Sequence, residues 1–90
     1  MPCALDFSVT AAEDLDRLFE SVTASRHQGA IDAIEVLCRA LAENPPERSF
    51  GTFPLHFQVD GVHYYWVGTY RISLDRRRLS VTHVFRAPAL

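Results

Sequence analysis

Apolar and polar positions follow two different periods along this chain, and the change of period divides it. Between Leu15 and Leu41 the apolar residues return every third or fourth position, the spacing of one helix face. From Leu55 onward they return every second position, the spacing of a strand with one buried side. Ahead of both, "CALDFSV" is a short apolar stretch that fits a first strand. Thr10-Ala11-Ala12-Glu13 has the form of a capping box, with a hydroxyl at the N-cap and a carboxylate three residues on. Leu15, Leu18, Phe19 and Val22 continue it at helical spacing, and the pattern lapses from Ser21 to Ser25, which predicts a tight joint. A second helix carries Ala30, Ile31, Ile34, Leu37, Cys38 and Leu41 on one face, and Pro45-Pro46 end it at Asn44. Gly29 costs about 1 kcal/mol against alanine inside a helix, so the helix starts on one side of it or the other.

The second half is read from its turns. Asp60-Gly61 between two alternating runs predicts a two-residue type I′ hairpin, because both loop positions need positive φ. That loop sets Val59 opposite Val62, Phe57 opposite Tyr64 and Leu55 opposite Trp66 on one face. His56 then falls opposite Tyr65, and Gln58 opposite His63, on the other. A second hairpin closing at Asp75–Arg78 sets Leu74 opposite Leu79, Ile72 opposite Val81 and Tyr70 opposite His83 on the apolar face. It leaves Arg71 opposite Thr82 and Val67 opposite Arg86 on the polar one. These pairings hold only if no bulge interrupts the strands near Gly68-Thr69. The whole is a single α+β domain over residues 1–90, in the order β-α-α-β-β-β with room for a further strand. An N-terminal helical hairpin packs on one face of a mainly antiparallel sheet.

Composition narrows the class. Ninety residues with an apolar fraction near half make one ordinary globular core. No apolar run approaches the roughly 18–20 residues that cross a bilayer, so no membrane is expected as a partner. "MPCALDFS" lacks the basic region and long apolar core of a signal peptide. Cys3 and Cys38 form neither a disulfide framework nor a metal motif, which fits a cytoplasmic protein. Charge is unevenly placed: residues 1–47 carry three arginines against nine acids, and residues 48–90 carry six against two. Arg76-Arg77-Arg78 is the densest basic run, and its place in a turn fits a solvated surface as well as a nucleic-acid contact.

Taken together, a first strand, "TAAEDLDRLF", a second helix ending "LCRALAENPP", a strand ending "YRI" before a charged turn and a last strand "LSVTHVFR" resemble the RelE/ParE superfamily of bacterial type II toxins. The resemblance spans nearly the whole chain and rests on order and lengths. RelE-like members enter the ribosomal A site and cut mRNA with basic and aromatic groups on the open sheet face. ParE-like members share the fold and inhibit DNA gyrase. Both kinds are neutralised by a cognate antitoxin protein. Arg86 matches the arginine of the family's closing strand, and His63 falls roughly where many members place an arginine after the hairpin turn. The chain departs from the pattern at Phe85, where the closing pair has a histidine, and at Leu90, where many ribonucleases of the family supply a tyrosine. Lysines used by some members after the second helix are absent; Arg48 is the nearby cation.

RNA cleavage without a metal needs a base for the 2′-hydroxyl, an acid for the leaving 5′-oxygen and cations around the phosphorus. The polar sheet face offers His56 or His63 for proton transfer, Tyr65 for stacking or proton donation, and Arg71 and Arg86 for charge. Arg48, Arg76, Arg77 and Arg78 are the accessory RNA contacts. His83 falls on the apolar face and reads as a core histidine. His56 and His63 lack a third ligand at zinc-site spacing, so neither a metal nor another cofactor is expected. The expected function is ribosome-dependent mRNA cleavage; the alternatives are a non-catalytic gyrase inhibitor and a relic that only binds an antitoxin.

Overall fold

The computed structural model describes residues 2–88. Its elements run β1 (Ala4–Phe7), α1 (Val9–Phe19), α2 (His27–Glu43), β2 (Phe50–Val59), β3 (Val62–Ile72) and β4 (Arg78–Arg86), with one 3-10 turn at Ala24–Arg26. The strands lie in the order β1-β4-β3-β2; β1 runs parallel to β4, and the other pairs are antiparallel. The fold is α+β, with two helices packed on a mixed four-stranded sheet. No helix among the described residues is long and apolar enough to cross a membrane. Leu90 lies outside the described residues.

α1 begins earlier than its capping-box pattern implies. Ser8, not Thr10, is the N-cap, and its Oγ accepts the Ala11 N–H at 3.0 Å. The same hydroxyl donates to the Thr82 carbonyl, and the Ser8 N–H donates to the Val81 carbonyl. Attachment to β4 thus decides which hydroxyl caps the helix. α2 runs straight through Gly29, where a Cβ would sit 2.8 Å from Val59 Cγ1, so the glycine marks a close approach of helix to β2. At the joint, His27 Nε2 donates to the carbonyls of Phe19 and Val22 at 3.0 and 2.8 Å. α2 ends at Asn44. Ala11 and Leu18 from α1 and Ile34, Cys38 and Ala42 from α2 meet Leu55, Trp66, Tyr70, Ile72, Leu79 and Val81 in the core.

The Asp60-Gly61 hairpin has the expected register, with Leu55 opposite Trp66, Phe57 opposite Tyr64 and His56 opposite Tyr65. Both loop residues have positive φ, 51° and 79°. Pro54, which donates no ladder hydrogen bond, sits in the edge strand β2.

The β3–β4 register departs from simple alternation twice. The turn is longer than Asp75–Arg78: Ile72 pairs with Leu79 and Tyr70 with Val81, while Leu74 is fully exposed. The Ser73 hydroxyl accepts the Arg78 N–H and donates to Asp75, which accepts the Arg77 N–H; these bonds hold the wider loop. Arg76 takes φ 59° there, and Arg78 belongs to β4. The second departure is a bulge. One step of β3, Tyr70 to Thr69, is matched by two of β4, from Val81 to His83. Beyond it the faces of β4 exchange, so Val84 is buried against Gly68, Val67 faces Phe85, and Arg86 pairs with Trp66. His83 is therefore no core residue, and Arg86 does not belong to the polar face.

Candidate functional site

The face turned away from the helices carries Phe50, Thr52, Pro54, His56 and Gln58 from β2 and His63, Tyr65, Val67, Thr69 and Arg71 from β3. Its chemistry is divided between two ends. At one end the His63 ring lies nearly parallel to Tyr65, 6.1 Å apart at 11°, and His56 meets Tyr65 edge-on at 5.2 Å. Tyr65 is 57% exposed, and both histidines are exposed as well. The two-residue hairpin produces this cluster by fixing which side chains oppose each other.

The arginines gather at the other end. Six residue steps along β3 separate Tyr65 from Arg71, about 20 Å at strand rise. Arg71 pairs in register with Phe50, and the Arg48 guanidinium lies 5.5 Å over the Phe50 ring. Three threonines cross the sheet beside them: Thr52 pairs with Thr69, whose hydroxyl meets that of Thr82 at 2.6 Å. Phe50, Thr52, Thr69, Arg71, Thr82 and His83 line an open hollow of about 460 Å³. Arg78 is paired with Asp6 at 2.9 Å. Arg76 donates to the Pro46 and Glu47 carbonyls at 2.6 and 3.3 Å, tying the turn to the segment after α2. Arg77 lines a separate hollow with Glu43 and Asp75. Of the basic turn, then, Arg76 is a clamp and Arg78 half of an ion pair.

The outer edge of β4 is the part that alternation does not reveal. β1 covers β4 only from Arg78 to Val81. Past that point α1 covers the edge, and Asp14 Oδ2 accepts the Val84 N–H at 3.0 Å. Arg17 bonds the other oxygen of the same carboxylate. His83 Nδ1 stands 3.8 Å from Asp14 Oδ2, with its ring 58% exposed. Asp14, Arg17, Thr69, His83 and Arg86 share a cleft of about 650 Å³. Arg86 also lines a hollow of about 340 Å³ with Ser21, His63 and Tyr65. Arg86 thus lines the same hollow as His63 and Tyr65, from the sheet end and not across the polar face.

Comparison with protein-family models, with curated proteins and with solved structures gave no match.

The structure groups His56, His63 and Tyr65 directly, adds Arg86 from the side, and holds Arg71 and Arg48 apart at the far end. Asp14 and His83 are the two residues that sequence reasoning passes over. Asp14 looks like one more acid on an exposed helix face, and His83 falls on the apolar side of an unbulged strand. The available signal was the polar trio Ser80, Thr82, His83: one place where β4 breaks its own alternation. Among the described residues no three His, Cys, Asp or Glu side chains converge as a metal site requires.

Proposed function

We propose that this chain is a toxin of the RelE/ParE type that stops translation in the cytoplasm by cutting mRNA on the ribosome, and that a cognate antitoxin restrains it. The observation that carries the reading is the exposed stack of His63 on Tyr65 with His56 edge-on. Aromatic faces open to solvent on a sheet suit unpaired bases, each stacked base contributing roughly 1–3 kcal/mol. Imidazoles are the side chains that exchange protons near neutral pH. Arg86 lies in the same hollow as His63 and Tyr65, where a phosphate would meet it. At the other end, Arg71 and Arg48 extend the basic track along the strand. The α+β fold, with two helices on a mixed four-stranded sheet, supports the reading.

A second reading has an observation of its own. Phe85, 43% exposed and paired with Val67, adjoins the exposed Tyr65 on the polar face, apolar surface that suits a protein target such as DNA gyrase. Cell-free translation of a ready-made mRNA separates the two, because gyrase takes no part in it. The ribonuclease reading expects synthesis to stop with cut message for the wild type and to continue with Tyr65→Ala. Uninterrupted synthesis at high protein would overturn it in favour of the gyrase inhibitor.

A further inference from the structure

Among the described residues, one histidine of the chain stands within ion-pair reach of a carboxylate, and it is not one of the stacked pair. His83 is placed by the bulge at the rim between the polar face and the outer edge of β4. Its Nδ1 faces Asp14 Oδ2 at 3.8 Å, beyond hydrogen-bond length and inside the range from which such contacts tighten when substrate binds. Asp14 is nearly buried and held from two sides, by the Val84 N–H and by Arg17, so it cannot swing away from the ring. Once the contact closes to hydrogen-bond length, a fixed carboxylate at Nδ1 favours the tautomer that donates from that nitrogen and presents the Nε2 lone pair to substrate. Cations flank the ring on both sides: Arg86 and Arg17 in the edge cleft, Arg71 in the threonine-lined hollow.

We infer that His83, oriented by Asp14, is the base of the RNA cleavage, with Arg86 and Arg71 holding the phosphates on either side of the cut. The inference rests on the ribonuclease reading above and moves its proton transfer from His56 or His63 to the edge of β4. In the step, the 2′-oxygen forms a bond to the adjacent phosphorus and the bond from phosphorus to the 5′-oxygen breaks. The 2′-hydroxyl proton passes to His83 Nε2. Water protonates the departing 5′-oxygen, and the resulting hydroxide takes the proton back from the imidazolium. The products are a 2′,3′-cyclic phosphate and a 5′-hydroxyl, with no other reactant consumed. His63 and Tyr65 remain the stacking platform, reached from the same cleft through Arg86. Asp14 is a positioning residue, since it touches the imidazole and not the RNA.

The test is the single-turnover rate of mRNA cutting on programmed ribosomes for the wild type, His83→Gln, His83→Ala and Asp14→Asn, with melting curves to show that each is folded. Loss of a general base slows cutting about 100- to 10,000-fold, and His83→Gln is expected in that range with KM unchanged. Added imidazole should restore part of the rate to His83→Ala. Asp14→Asn keeps an acceptor for the Val84 N–H and loses the charge, so kcat falls while KM and the melting midpoint hold. If the wild type cuts and His83→Gln cuts as fast, the inference is overturned and His56 or His63 regains the role. If the wild type cuts nothing, the ribonuclease reading falls and takes this inference with it.

Discussion

Gly68 and Phe53 face each other across the β2–β3 pair so closely that a Cβ on Gly68 would lie 2.5 Å from Phe53 Cζ. The ring lies over the glycine and fills the place of its missing side chain. Gly68→Ala should therefore destabilise the domain by about 1–3 kcal/mol in urea or thermal unfolding, the usual range for overpacking. Phe53→Leu on the same background should recover part of the loss, because the two changes share one space.

The two cysteines should separate cleanly by reactivity. Burial pushes the Cys38 thiol up to about 12, whereas Cys3 is half-exposed. At pH 8 in native buffer a thiol reagent should modify Cys3 alone, and Cys38 only after denaturant is added. Equal rates before unfolding would contradict the buried position of Cys38 on α2.

The turn between β3 and β4 should carry a pH signature. The Ser73 hydroxyl first, and then the Arg77 N–H, hold the Asp75 carboxyl below its usual range. A carboxyl lowered by folding contributes stability that is present above its unfolded value, near 4, and lost as pH falls through the folded value. Wild type should thus exceed Asp75→Asn in melting midpoint above about pH 4, and the difference should close below it.

Arg76 tests the same turn from its backbone. At φ 59° a residue with a side chain is strained, and here the clamp on the Pro46 and Glu47 carbonyls accompanies the strain. Arg76→Ala loses the clamp and keeps the strain; Arg76→Gly loses both. Denaturant midpoints should place the alanine variant about 1 kcal/mol below the glycine one.

RNA affinity should follow Tyr65. Removing one stacked base contact is worth roughly 1–3 kcal/mol, so Tyr65→Ala should weaken binding to a short unpaired RNA about 5- to 150-fold. Fluorescence anisotropy across a salt series reads it: arginine contacts to phosphate steepen the salt slope, and loss of a stacking ring leaves that slope in place.

The β2–β3 hairpin was readable because Asp60-Gly61 permits one loop length, and a fixed loop length fixes every pair behind it. β4 had no such constraint. The loop before it is set by the Ser73 hydroxyl, whose bonds to Asp75 and to the Arg78 N–H have no counterpart in a table of turn residues. The bulge then depends on what covers the far edge of the strand, an α1 carboxylate about seventy residues away in sequence. Parity propagates, so one unforeseen residue at Thr82 moves His83 out of the core and Arg86 off the polar face. The start of α1 shows the same dependence: Ser8 and Thr10 are equal as local caps, and contact with β4 chooses between them.

The parallel pairing of Ala4–Phe7 with Arg78–Val81 closes a loop of more than seventy residues. That ladder also anchors Ser8, and through Ser8 the start of α1 over the cleft. During synthesis the first strand has no partner until the last one has been made. The hairpin of β2 and β3 can pair long before, and the cleft lined by Asp14, His83 and Arg86 has no floor until β4 emerges. The cleft of a newly made chain is therefore incomplete until β4 has joined the sheet.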